Sequence, residues 1–190
     1  VNATGDKLPN KSVSSEMKGS VQVDVLKQNV QANLAGGLLQ SQIKAKINVN
    51  GFADPAIQFD VDVDQFDADL YLPKKSPNDL RSGSSKPKEP EQPLDLSALR
   101  KLNLNGSLRI GSLKVANVKS TQVRLDVKAH NGQVSISPLS ANLYQGSMNG
   151  SLSVNAQSTP SITINQKLSG INIATLTKDA ANFDTLEGKG

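Results

Sequence analysis

Cysteine and tryptophan are absent from the 190 residues, and aromatics of all kinds make up only 3% of them. Without cysteine there is no disulfide framework and no thiolate metal site, although the composition is compatible with an oxidising compartment. With so few rings, any core must be built from Val, Ile, Leu and Ala. Long apolar runs are also missing: no stretch approaches the ~18–20 residues of a membrane-spanning helix. Clustered cations are missing as well. The net charge is +4, but Lys and Arg are scattered singly and interleaved with Asp, without the stacking aromatics of a nucleic-acid footprint, so nucleic acid is excluded as a partner. The chain opens at Val1 with neither an initiator Met nor a leader-like apolar segment, and reads as a piece of something longer.

What is present is period-two alternation. Val21, Val23 and Val25 alternate with polar residues, as do Ile43, Ala45, Ile47 and Val49 with Lys44, Lys46 and Asn48. Ile57, Phe59, Val61 and Val63 alternate with Gln58, Asp60, Asp62 and Asp64, and Val123, Leu125, Val127 and Ala129 with Arg124, Asp126 and Lys128. Met148, Gly150, Leu152, Val154 and Ala156 follow, then Ile162, Ile164 and Leu168, with Gln166 the one exception. Successive strand side chains point to opposite faces, so each segment has one oily and one wet side. That pattern suits antiparallel strands covered on one face, because parallel strands buried on both faces show continuous apolar runs.

Turn signals at Gly36-Gly37, Asn50-Gly51, Asn131-Gly132 and Gln145-Gly146 divide the runs. They pair strand 43–49 with 57–63, through a loop extended to Pro55, and 123–129 with 133–136. Helix signals are few: Asp95 before 96–101, and Asn172 before Ile173, Leu176, Thr177 and Ala180. The apolar phase flips at Gln65, which a bulge or a short helix at 66–72 explains equally.

The expected fold is mainly β: a long, curved antiparallel meander sheet, groove-like or taco-like, with a few short helices. A closed β-sandwich gives the same one-sided pattern and is the alternative. The expected organisation is a loose segment 1–18, a first β repeat 19–72, a flexible Pro/Ser/Lys/Glu-rich linker 73–93, and a second β repeat 94–190 ending in a short helix. Ala32–Gly37 matches Ala141–Gly146 and Pro55–Phe59 matches Pro160–Ile164, with about four residues deleted between the blocks; Phe66 then falls on Ile171 and Tyr71 on Leu176.

Residues 94–190 carry a more specific likeness. Leu94-Asp95-Leu96-Ser97-Ala98-Leu99 with Leu104-Asn105-Gly106, then Pro138–Gly146, then Leu186–Gly190, resemble in order and spacing the C-terminal region of the AsmA family. Asp67–Pro73 resembles the end of the preceding unit, and Gln145 stands where a small residue is common. The resemblance implies a protein held in the inner membrane of Gram-negative bacteria by an N-terminal helix lacking here, with its bulk in the periplasm. It implies kinship with bridge-like lipid carriers, and phospholipid transport in outer-membrane biogenesis.

Chemistry-bearing motifs are sparse. Asp60, Asp62, Asp64, Asp67 and Asp69 form a ladder, but no Gly follows Asp64 to bend a calcium loop, and Lys44 and Lys46 face it across the hairpin. His130, the one histidine, stands at a turn without a nucleophile or further ligands beside it. No nucleotide-binding, zinc-protease or serine-hydrolase motif occurs, so no catalytic residue, metal ligand or cofactor is assigned, and an enzyme is not expected. The candidate functional element is the aliphatic face: Ile43, Ile47, Val49, Ile57, Phe59, Val61, Val63, Val123, Leu125, Val127, Leu152, Val154, Ile162, Ile164 and Leu168. The expected partners are phospholipid acyl chains. The second reading is a scaffold that offers strand edges in outer-membrane protein assembly.

Overall fold

A computed structural model describes residues 2–4, 12–38, 40–70, 97–157 and 160–181. The stretch 73–93, Tyr71, the cap candidate Asp95 and Leu186–Gly190 lie outside the described residues. Ten strands form one sheet in chain order. They are β1 Asn2–Thr4, β2 Ser12–Asp24, β3 Asn29–Leu38, β4 Ser41–Asn50, β5 Ala56–Asp67, β6 Leu104–Val115, β7 Val118–His130, β8 Gln133–Leu143, β9 Gly146–Asn155 and β10 Ser161–Ser169. Short 3₁₀ turns cover Ala68–Leu70 and Ser97–Lys101, and the one α-helix among the described residues, α1, is Ile173–Ala181. Asn172 caps α1 as its position predicts, accepting the Thr175 N–H at 3.2 Å.

The sheet is an open single layer, and the sandwich alternative is set aside. Strands contact their sequential neighbours, and no second sheet lies over the first among the described residues. Three expectations need correction. Strand β2 begins at Ser12, inside the segment read as loose, because its first residues pair with β1, from Thr4↔Ser12 to Asn2↔Ser14, and the rest with β3 from Ser15↔Leu38. Gly36 and Gly37 are not a turn; both lie within the β3 ladders to β2 and β4. The meander is not wholly antiparallel, since β5 pairs in parallel with β6 from Ile57↔Leu104 to Asp67↔Lys114. The long connection from Asp67 to Leu104 carries the chain back to the same end of the sheet, as parallel neighbours require. Alternation survives in this parallel pair because each strand keeps one wet face.

That pair is held in register on the wet face. Arg109 donates from Nε to Asp62 Oδ1 at 2.6 Å and from Nη2 to Asp62 Oδ2 at 3.1 Å, and also reaches Asp60. The hydrogen-bonded guanidinium holds the Asp62 carboxyl below its ordinary range.

The phase flip at Gln65 belongs to three strands at once. Inner-face positions pass from Val63 to Phe66 in β5, from Ile110 to Leu113 in β6, and from Val123 to Ser120 in β7, three residues instead of two. The ladders skip Asp64–Gly111 and Gly111–Gln122 at this level. Gln122 has φ +50°, and a Cβ at Gly111 would lie 2.5 Å from the Asp64 carbonyl oxygen. The Asp64 carboxylate accepts the N–H groups of Gln42 and Gln65 at 2.7 and 2.6 Å, replacing lost ladder bonds. Aligned irregularities of this kind bend and twist a sheet while keeping the same face apolar. The 3₁₀ turn Ala68–Leu70 then follows, so a bulge and a short helical turn are both present.

The internal repeat is clearest in two hairpins. Ile43↔Val63 and Val49↔Ile57 in β4–β5 correspond to Met148↔Leu168 and Val154↔Ile162 in β9–β10, at a constant offset of 105 residues. Both connecting loops end in proline, Pro55 and Pro160, and helical turns begin at Ala68 and Ile173, again 105 apart. The structure corrects the alignment of the preceding strands. Leu34 pairs with Ala45 as Leu139 pairs with Gly150, so Ala141 corresponds to Gly36, not to Ala32. The shared Ala-Asn-Leu is therefore not a structural equivalence.

The turn between β6 and β7 places Ala116 and Asn117 at φ +52° and +62°, a strained pair for residues with side chains. Asp69 ties it down by accepting the N–H groups of Ala116 and Asn117, and Lys114 Nζ stands 3.1 Å from its carboxylate. Desolvation pushes the Asp69 carboxyl up, but the Asn117 N–H, Lys114 and the Ala116 N–H outweigh it and hold the group below the usual carboxylate range. A depressed folded-state value stabilises above the unfolded value of about 4 and loses that effect as pH falls through the folded value. Asp69→Asn is expected to lower stability by roughly 1–2 kcal/mol at pH 7. The deficit should shrink as pH falls below about 4. Urea unfolding of both proteins at pH 7 and pH 3 checks this; an equal deficit at both would show that charge is not involved.

Candidate functional site

Strand register brings the alternating aliphatic residues of separate segments into rows that cross the sheet. One row runs Val30, Val49, Ile57, Leu104, Ala129, Val134, Val154, Ile162. The next runs Ala32, Ile47, Phe59, Gly106, Val127, Ile136, Leu152, Ile164, and the third Leu34, Ala45, Val61, Leu108, Leu125, Leu139, Gly150, Gln166. The fourth passes through Ile43, Val63, Ile110 and Val123, meets Ala141 at the β7–β8 bulge, and ends at Met148 and Leu168. All fifteen residues expected to line the surface fall on these four rows.

At ~4.8 Å between strands and ~3.3 Å per residue, the rows cover about 34 Å by 20 Å, on the order of 700 Å². Part of this footprint is buried, at Ala45, Ile110, Val123, Ala129 and Ala141, and most of the remainder is partly exposed. Among the described residues the buried aliphatic core consists of Ala45, Ile110, Val123, Ala129, Ala141 and Ala156, and no large side chain is fully enclosed. Openness increases toward the margins: Val21 and Val23 on β2 and Ile162, Ile164 and Leu168 on β10 are each more than half exposed.

Phe59 is the one aromatic in the rows. Its ring lies over Gly106 on the adjacent strand, where a Cβ would come within 2.6 Å of the ring carbon Cδ1. The glycine lets this ring lie flat in an otherwise aliphatic surface.

Two polar features close the ends of the rows. At the β7–β8 turn, Arg100 from the 3₁₀ turn Ser97–Lys101 donates from Nε to the Ala156 carbonyl at 2.6 Å and from Nη2 to that of Gln157 at 3.2 Å. At the opposite end, α1 is tied to the β8–β9 turn. The Asn172 N–H donates to the Tyr144 carbonyl at 2.9 Å, and the Tyr144 hydroxyl donates to Asp179 Oδ2 at 2.9 Å while accepting the Lys119 N–H at 3.3 Å. Desolvation, with Asp179 adding to it, pushes the Tyr144 hydroxyl above its ordinary pKa.

The other face is ionic and internally paired. Lys44 and Lys46 stand opposite Asp62 and Asp60 in register, as the hairpin predicts. Arg109 binds both of these carboxylates, Arg124 binds Asp126, and Lys114 lies between Asp67 and Asp69. The Asp ladder is thus a set of ion-pair and backbone partners. No three His, Asp or Glu side chains converge as metal ligands among the described residues. His130 is exposed at the end of β7 beside the Asn131-Gly132 turn.

Reading by segment missed Leu104, Leu108 and Ile110 on β6 and Val134, Ile136 and Leu139 on β8. Alternation is visible in β6, with Gly106 filling one inward position. In β8 the register shift between Ile136 and Leu139 reverses the parity and hides the pattern.

A half-open surface has a measurable signature. Leu125→Ala, in the middle of the third row, should cost about 1–1.5 kcal/mol, below the ~2–5 kcal/mol of a sealed core, because solvent already reaches the site. Denaturant unfolding measures this, and a cost above 3 kcal/mol would mean that the face is covered.

The AsmA family model matches residues 2–190 of the chain. No curated protein and no solved structure matches it.

Proposed function

The chain belongs to the AsmA family, and from that premise we propose that its open aliphatic face holds or conducts phospholipid acyl chains in the periplasm, for outer-membrane biogenesis. The observation that carries this reading is the continuity of the four rows across β3–β10, with no covering layer among the described residues. Acyl chains suit such a surface. Each methylene removed from water contributes about 0.8 kcal/mol, so ten supply about 8 kcal/mol before ordering costs. The aliphatic positions of the rows do not select one chain over another, because Val, Ile, Leu and Ala offer no hydrogen bonds; Gln166, at the β10 margin, is the one polar side chain on them. Weak, unselective holding favours passage over capture. In this reading the parent protein is anchored in the inner membrane, the headgroup stays in water, and the ionic face is structural. The role is binding, not catalysis.

A scaffold for outer-membrane proteins is the second reading, favoured by the exposed outer edge of β10. It predicts binding of unfolded barrel proteins without lipid uptake.

The test is phospholipid retained by purified protein, counted by extraction and mass spectrometry after delipidation and reloading from vesicles. Ile47→Asp and Leu152→Asp place a carboxylate in the second row and should reduce retained phospholipid at least fivefold. Thr163→Asp, on the opposite face of β10, should leave it unchanged. Equal retention in all three folded variants would overturn the reading.

A further inference from the structure

At one end of the sheet two neighbouring turns carry apolar side chains into solvent. The turn 25–28 joins β2 to β3, with the Gln28 N–H donating to the Val25 carbonyl at 3.2 Å. Leu26 and Lys27 stand at its two central positions, where Gly, Pro, Asn and Asp usually serve. Leu26 is 98% exposed and Val25 70%. The loop between β4 and β5 carries Phe52, 49% exposed, whereas the other described phenylalanines, Phe59 and Phe66, lie within β5. The two turns are fastened to each other. The Gly51 N–H donates to the Gln28 carbonyl at 2.9 Å, and the Phe52 N–H to Gln28 Oε1 at 3.4 Å. Within the first turn, the Asp24 carboxylate accepts the Lys27 N–H at 2.9 Å and lies 3.3 Å from Lys27 Nζ. Val25, Leu26 and Phe52 are thereby held on one corner. By contrast, the β7–β8 turn at the same end of the sheet is the polar pair Asn131-Gly132.

Shape, continuity and charge decide what such a corner meets. A stable protein partner generally covers about 800 Å² on each side with close complementarity, and three side chains on a protruding corner do not supply that. The hydrocarbon boundary of a bilayer needs no matching pocket, and Leu and Phe side chains are among those that enter it. The corner also prolongs the oily side of the sheet. Val25 keeps the alternation of Val21 and Val23, and Val23 pairs with Val30 at the head of the first row. Charge recruits nothing here: Asp24 and Asp54 stand against Lys27 alone, the reverse of the basic cluster that anionic lipid attracts. We propose that this corner docks on the surface of a lipid bilayer, with Leu26 and Phe52 entering the boundary between headgroups and acyl chains. The proposal is independent of what the aliphatic rows carry.

The absence of native tryptophan permits a clean test. Leu26→Trp places a single fluorescent probe on the corner, and Thr163→Trp, on the wet face of β10, is its control. With vesicles of phosphatidylcholine and phosphatidylglycerol, the Leu26→Trp emission should move to shorter wavelength. Brominated acyl chains should quench it at least fivefold more than they quench Thr163→Trp. Leu26→Asp combined with Phe52→Ser should lower the vesicle-bound fraction in flotation at least fivefold. Both side chains are exposed, so the fold is retained, and circular dichroism checks that it is. Omitting phosphatidylglycerol, or raising the salt tenfold, should leave the bound fraction unchanged, because screening weakens only charge attraction. Failure to bind vesicles would overturn the proposal, as would binding that the double variant keeps or that salt abolishes. Equal quenching of the two probes would place the contact elsewhere and overturn it too. A shift without vesicles that grows with protein concentration would assign the corner to a second copy, with the same consequence.

Discussion

One constraint governs this molecule: a wide aliphatic face is presented by a sheet that no second layer covers among the described residues. In an ordinary β domain such a face is buried against another sheet or a helix, and the sealed interior supplies most of the stability. Among the described residues the enclosed aliphatic ones are few and mostly alanine. Lateral packing between neighbouring strands, together with ladder hydrogen bonds, must therefore hold the structure. This explains why polar fixtures recur where strands enter and leave. Asp69 secures the β6–β7 turn, Arg100 the chain leaving β9 beside the β7–β8 turn, and Tyr144 the docking of α1.

The ionic face serves the same need. A one-residue slip in any strand would turn its apolar set outward, and a single-layer sheet has no facing partner to resist the slip. Arg109 across the parallel pair and the lysines of β4 opposite Asp60 and Asp62 act as register marks. Those charges look like a metal or catalytic site when read along β5 alone. In three dimensions the aspartates from Asp60 to Asp69 each have a structural partner.

Strand identity, hairpin pairing and the cap of α1 were legible because each depends on residues close in sequence. The fifteen aliphatic residues could be chosen for the same reason, since alternation reveals a face without revealing what opposes it. Less was legible where pattern and geometry part company. The glycines at 36 and 37 resemble a turn, yet they pair on both sides within β3. The inward residues of β8 are hidden by its register shift. Ala32 appears to repeat at Ala141 through shared neighbours, whereas the ladders equate Gly36 with Ala141.

By itself the amino-acid sequence determined that the chain is strand-rich, that each strand has one oily side, and that the hairpins joined by short loops lie together. These follow from local geometry: side chains alternate across a strand, and short loops permit only antiparallel neighbours. Tertiary structure alone decided three further matters. It joined β5 to β6 in parallel across a long connection, it aligned the phase steps of three strands at one level, and among the described residues it set no second layer on the oily side. Each depends on partners distant in the chain, and an identical alternation of residues serves a sealed sandwich and an open sheet equally well.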